Sequence, residues 1–194
     1  MISPKTESLR LFFALWPDDK TRTKLMQLQT AMRGRIIPYE NLHLTLAFLG
    51  EQPASALPVL KEILVHIPAL TATLTLDRLG YFANKRIAWI GMHDMTNELL
   101  MLQKELAQAI LRHDISFDTQ YDFKPHITLA RDASLPDDIV FTPIIWRANQ
   151  VTLVQSTTKS EGASYEVLAS RSLEKECRIS KESDSGGELN SSAA

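Results

Sequence analysis

Two strings in this chain repeat each other and carry its most suggestive chemistry. Asn41-Leu42-His43-Leu44-Thr45-Leu46-Ala47-Phe48 aligns with Lys124-Pro125-His126-Ile127-Thr128-Leu129-Ala130-Arg131, so both copies read His-x-Thr-Leu-Ala, 83 residues apart. On an extended strand, residues two apart share a face, so each His projects with its Thr while Leu44 or Ile127 turns into the core. Two such strands side by side present two imidazoles and two hydroxyls. One imidazole can take a proton from a nucleophile, the other can protonate a leaving oxygen, and the hydroxyls can hold phosphoryl oxygens. Neither motif adds a third His, Cys or carboxylate at ligand spacing, so the pattern favours chemistry with no metal and no cofactor. Two ordinary imidazoles acting as a pair would centre a bell-shaped rate profile within a unit or so of about pH 6.5 to 7.

The surrounding sequence must hold those strands together. Leu9 to Leu15 reads as a buried strand. Asp18 then caps a helix with Leu25, Leu28 and Met32 on one face, and Gly34 ends the run. Asn41 to Gly50 reads as a strand, and Ser55 as the cap of a second helix that buries Leu60, Leu64 and Ile67, with Pro58 tolerated in its first turn. Leu70 to Asp77 alternates apolar and polar residues, with Arg86 to Gly91 as its expected hairpin partner. The longest helix is expected over Thr96 to His113, with Leu99, Leu102, Leu106 and Ile110 inward. Strands follow at His126 to Ala130, Ile144 to Val154 and Tyr165 to Leu173, the last two joined by a polar loop around Gly162. The order predicts an α+β architecture with largely antiparallel sheets. Residues 1–173 form one expected domain, and the Ser-, Glu- and Gly-rich stretch 174–194 is expected to be a disordered tail.

Composition narrows the class of function. With 44% apolar and 23% charged residues the chain has the balance of a globular protein, which argues against a fibre or wholesale disorder. A single cysteine, Cys177, rules out an intrachain disulfide and thiolate-rich zinc sites, and points to a reducing cytoplasm. Met1 to Leu11 lacks the apolar stretch of a signal peptide or membrane span. A net charge of -2 gives no strong overall field for long nucleic acid, so any RNA contact should be local, at a chain end.

The paired motif resembles that of the two-histidine phosphoesterases. The strings Arg10-Leu11-Phe12-Phe13-Ala14-Leu15, Asn41 to Gly50 and Pro125 to Ser134 are similar to bacterial RNA 2′,3′-cyclic phosphodiesterases, formerly called 2′-5′ RNA ligases. The resemblance runs from about Leu9 to Leu173. It implies a bilobed fold with pseudo-twofold symmetry and an active-site cleft between the lobes. It implies hydrolysis of a terminal 2′,3′-cyclic phosphate to a 2′-phosphate, and reversible 2′-5′ ligation. It also implies roles: His43 as proton donor, His126 as proton acceptor, Thr45 and Thr128 on the phosphate, and Phe48 and Arg131 lining the site. The expected partners are RNA ends bearing a cyclic phosphate, including tRNA fragments, or small cyclic nucleotides, with no membrane and no protein partner. A non-catalytic module that holds RNA ends, and an enzyme for a cyclic phosphate of ADP-ribose, stay open at this stage.

Phe48 and Arg131 each follow their His by five residues. An odd offset turns a side chain to the opposite face unless the strand bulges, twists or ends. His66 and His113 fall near expected helix C-termini and His93 in a turn, where structural roles suit them. Lys85, Arg86, Lys124 and Lys159 are candidates for a basic rim.

Overall fold

The computed structural model describes residues 7–117, 122–134, 139–159 and 162–174. In chain order the elements are β1 (Ser8–Leu15), α1 (Asp19–Gln29), β2 (Arg35–Ile36), β3 (Leu44–Pro53), α2 (Leu57–His66), β4 (Ala72–Leu76) and β5 (Arg78–Phe82). They continue with β6 (Ile87–Gly91), α3 (Asn97–Arg112), β7 (His126–Arg131), β8 (Ile144–Ala148), β9 (Gln150–Lys159) and β10 (Gly162–Ser172). The α+β class with antiparallel pairing is as expected, since every strand pair is antiparallel.

The large sheet runs β10-β9-β1-β3-β7-β6-β5, with β2 also against β7. Its middle is palindromic: β9-β1-β3 and β7-β6-β5 are two antiparallel triplets whose inner strands carry the two motifs. The triplets meet at one pair, Leu44 with Ile127, the residues that directly follow His43 and His126. Both are fully buried and belong to the main hydrophobic cluster, which draws on both halves of the chain. Each such side chain contributes about 1.5–3 kcal/mol through burial, so the seam holds the two motifs in register.

Alternation along β1 separates the two faces of the sheet. Leu11, Phe13 and Leu15 enter the main core, whereas Phe12 and Ala14 form a smaller cluster with Val154, Trp16 and Tyr165 on the opposite face. Helix α1 packs on β7 and β8, α2 on α3, β9 and β10, and α3 on β3. Local signals set the helix ends where side chains can reach them. Asp18 accepts from the Thr21 amide at 2.7 Å, and Thr96 caps α3 by accepting from the Leu99 amide.

Five expectations need correction. The partner of β4 is β8, in a separate two-stranded sheet, while β6 forms its hairpin with β5. Chain proximity favoured the wrong pairing, and burial of Leu74 against the fully buried Trp146 decided the right one. The stretch Ile144 to Val154 is not one strand, because the chain changes sheets at Asn149. Ser55 lies in a 3-10 turn (Ala54–Ala56), and α2 starts after Ala56 with no side-chain cap and Pro58 in its first turn. Helix α1 stops at Gln29, short of Met32, and the first motif strand begins at Leu44 after a 3-10 turn over Tyr39–Asn41. The expected disordered tail lies outside the described residues beyond Glu174, and Cys177 with it.

Candidate active site

The five-residue offset is resolved by a bulge that both motifs share. Phe13 pairs with Ala47 and Ala14 with Thr45, leaving Leu46 as an extra residue on β3. Ala88 pairs with Ala130 and Trp89 with Thr128, leaving Leu129 as the extra residue on β7. Both bulges fall three residues after the histidine. Each reverses the alternation once, so Phe48 returns to the face of His43 and Thr45, and Arg131 to the face of His126 and Thr128. All six side chains line one cleft of about 660 Å³.

The β7 bulge is tied down by groups that no motif search would select. Gln29 is buried, and its Nε2 donates to the carbonyls of both Leu129 and Ile37 at 2.9 Å, while the Ile37 amide also donates to Leu129 at 3.0 Å. The bulge carbonyl is therefore satisfied twice. Gly34 lets the chain reach this point. It sits at φ +113°, and a Cβ there would meet the Arg131 carbonyl at 2.7 Å.

Each imidazole is oriented in the same way. His43 Nδ1 lies 2.7 Å from the Asn41 carbonyl, and His126 Nδ1 lies 2.7 Å from the Lys124 carbonyl. A carbonyl can only accept, so Nδ1 carries the proton in both rings and Nε2 is left for chemistry. Extending the Leu44–Ile127 register by one residue either way sets His43 opposite Thr128 and His126 opposite Thr45. Each imidazole thus has the other motif's hydroxyl as its cross-strand neighbour.

Aromatic rings wall both histidines. Phe12, Tyr165 and Trp16 lie 4.9, 5.1 and 5.6 Å from the His43 ring, with Trp16 nearly parallel to it at 12°. Phe82 and Trp89 lie 5.1 and 5.9 Å from that of His126. Burial against these rings holds the His43 pKa down to about 4. The hydrogen bond to Asn41 opposes the shift, while the charges of His126, Arg131 and Arg22 add to it. His126 is also lowered, first by burial, with the Lys124 carbonyl opposing and Arg131 and Lys85 reinforcing. An anion entering the cleft would oppose the field of those cations and favour the imidazolium.

A sequence profile of the 2′-5′ RNA ligase superfamily matches residues 17–159 of this chain. The chain belongs to that superfamily. Among its relatives, the RNA 2′,3′-cyclic phosphodiesterase of Escherichia coli is 36% identical over 133 residues, covering 66% of this chain and 75% of the relative. That of Thermotoga maritima is 34% identical over 179 residues, covering 82% and 93%. The crystal structure of E. coli LigT complexed with 3′-AMP superposes with a TM-score of 0.74 at 30% identity, covering 87% of this chain and 99% of that one.

Within this superfamily frame the sequence reading located both motifs but missed the residues that wall them. Phe12, Trp16, Phe82, Trp89 and Tyr165 are ordinary core aromatics by spacing, and only the fold turns them toward a histidine. Of the candidate basic rim, Lys85 lines the cleft, Arg86 spends Nη2 on the Asp132 carbonyl at 3.3 Å, and Lys124 contributes its backbone carbonyl. The Lys159 side chain lies outside the described residues. The other histidines have local structural partners. His66 Nδ1 meets the Glu62 carbonyl at 2.9 Å, His93 lies 3.1 Å from Asp77, and His113 ends α3. Among the described residues no three His, Cys, Asp or Glu side chains are grouped as metal ligands, and no helix is long and apolar enough to cross a membrane.

Proposed function

We propose that this chain hydrolyses 2′,3′-cyclic phosphates at RNA ends, leaving a 2′-phosphate, with His43 as proton donor and His126 as proton acceptor. The observation that carries this reading is the matched pair of imidazoles, each with Nδ1 bonded to a backbone carbonyl and Nε2 free on one cleft face. His126 Nε2 takes a proton from water. The oxygen attacks phosphorus, the bond from phosphorus to the 3′ oxygen breaks, and His43, entering the step as the imidazolium, delivers its Nε2 proton to that oxygen and keeps the one on Nδ1. Thr45 and Thr128 donate hydroxyl hydrogen bonds to phosphoryl oxygens, and the Arg131 guanidinium balances the charge that grows there. Phe48 stacks on the base next to the cyclic phosphate.

With a 5′-hydroxyl in place of water as the nucleophile, the same steps in the same direction join two RNA ends through a 2′-5′ linkage, and the reverse steps, with the 3′-hydroxyl attacking, cleave that linkage and reform the cyclic phosphate. The choice of donor and acceptor follows the motif positions of the family, and the names of the relatives support RNA as the substrate. The chemistry asks nothing of a metal ion, and the reaction belongs in the cytoplasm. The test is turnover of an RNA oligomer with a terminal cyclic phosphate beside 2′,3′-cyclic nucleotides and a cyclic phosphate of ADP-ribose, with product analysis. Fastest kcat/KM on the oligomer with a 2′-phosphate product supports the proposal. Binding without turnover would leave only a module that holds RNA ends, and a 3′-phosphate product would reverse the leaving group.

A further inference from the structure

Helix α1 carries a cation that neither the fold nor the proposed reaction has accounted for. Arg22 is only 9% exposed, and its Nε and Nη2 have no hydrogen-bond partner among the described residues. Burying a charge with donors left unsatisfied is costly, and a guanidinium does not escape by losing its proton. Two carboxylates stand within one helical turn, yet both are engaged elsewhere. Asp18 accepts from the Thr21 amide at 2.7 Å, and Asp19 accepts from the Tyr39 hydroxyl at 2.7 Å. Arg22 instead lies over two rings, 5.5 Å from the centroid of Trp16 and 5.2 Å from that of Tyr39. Trp16 is the ring that stacks on His43.

The other half of the site offers an internal comparison. Arg78 lies 5.9 Å from the centroid of Trp89, and Trp89 packs on His126. Both histidines therefore rest on a tryptophan that carries an arginine. The difference is solvent: Arg78 is exposed and screened, whereas Arg22 is enclosed. An enclosed charge acts over a longer range than an exposed one.

We propose that Arg22 is a positioning residue for His43: its guanidinium, with Nε and Nη2 unpartnered, holds Trp16 face-on to the imidazole and keeps a fixed positive charge over that indole until a phosphate anion arrives. This rests on His43 being the proton donor for its catalytic meaning, although the physical effect on the imidazole does not. The groups that face His43 are Arg22 from α1, Tyr165 from β10, and His126 and Arg131 from β7; those that face Arg22 are Asp18, Asp19 and Tyr39. Arg22 contributes to the low pKa of His43, and removing it makes the imidazolium easier to form. The phosphate then has less work to do, and protonation is less tightly coupled to its arrival.

The test is an NMR titration of the His43 ring in the full chain, with and without inorganic phosphate, in wild type, Arg22→Met, Arg22→Lys and Arg78→Met. Arg22→Met should raise the His43 midpoint in the free protein by about half a unit to one unit and shrink the further rise on adding phosphate. Arg22→Lys should restore most of the wild-type midpoint, and Arg78→Met should leave His43 where it was. Should Arg22→Met not fold, Arg22→Gln is read in the same way. An unchanged midpoint in a folded, uncharged Arg22 variant overturns the proposal, and so does an equal shift in Arg22→Lys and Arg22→Met, because then charge is not the cause. The titration needs no turnover, so it stands or falls apart from the substrate reading.

Discussion

On the β3 side of the cleft, His43 is packed by Phe12, Trp16 and Tyr165; on the β7 side, His126 meets Phe82 and Trp89 and shares its wall with Arg131 and Lys85. The backbone treats the two alike. Each ring is bonded through Nδ1 to the carbonyl two residues earlier, and each strand bulges three residues later. At the position that the bulge returns to the cleft, however, one half offers the Phe48 ring and the other the Arg131 guanidinium. A duplicated scaffold can thus supply two equivalent nitrogens while the neighbours make them unequal, which a donor and an acceptor require.

The most severe way to break this comparison is to remove either ring. His43→Ala and His126→Ala should each lower turnover of a cyclic-phosphate RNA by at least about a hundredfold while circular dichroism stays native. Near-wild-type turnover in either folded variant would falsify the paired role.

The bulge positions should divide by kinetic constant. Arg131→Gln removes the cation that the bulge returns to the cleft and, from its proposed role on the phosphoryl oxygens, should lower kcat by about tenfold to a hundredfold. Phe48→Ala should mainly raise KM, by about tenfold, since the proposed stacking on a base would act equally before and during the reaction. Equal effects of both changes on kcat alone would erase the distinction between the halves.

The wall behind His126 depends on a glycine that has no counterpart behind His43 among the described residues. Gly80 pairs with Trp89, and a Cβ at position 80 would fall 2.0 Å from the indole. Gly80→Ala should therefore displace Trp89, costing about 1–3 kcal/mol in a denaturant melt and disturbing the His126 ring signal more than that of His43. A neutral melt with both signals unchanged would mean that the indole has another place to lie.

The pH profile sharpens the comparison further. Burial and neighbouring cations disfavour the imidazolium, so protonation needs more acid. With His43 at about 4 and His126 also lowered, the bell in kcat/KM should centre below about pH 6.5, on the acid side of the expectation for free imidazoles. Bound phosphate acts in the opposite direction, so the kcat profile should lie to the alkaline side of the kcat/KM profile. Coincident profiles near neutrality would show that the walls do not exclude water in solution.

The smallest effects expected are none at all. Exhaustive chelation, and truncation after Glu174, should each leave kcat/KM within experimental error. A loss on chelation that a divalent ion restores, or a large loss on truncation, would assign the site a part that the two halves do not contain.

Sequence alone determined that each His shares a face with its Thr, because residues two apart on a strand must do so wherever the strand is placed. It also determined the long helix over Thr96 to His113, whose cap and apolar stripe are local, and the antiparallel α+β class. Tertiary structure decided everything that depended on partners far along the chain. The bulges at Leu46 and Leu129 sit in apolar runs, Leu46-Ala47 and Leu129-Ala130, that look the same bulged or straight, and they exist only against β1 and β6. The partner of β4 is β8, nearly seventy residues later, and no local period can select it. The unequal surroundings of His43 and His126 are the last of these decisions. A ring's pKa depends on what removes its water and which charges lie near it, and Trp16, Tyr165, Arg22 and Trp89 reach the histidines only when the strands are paired.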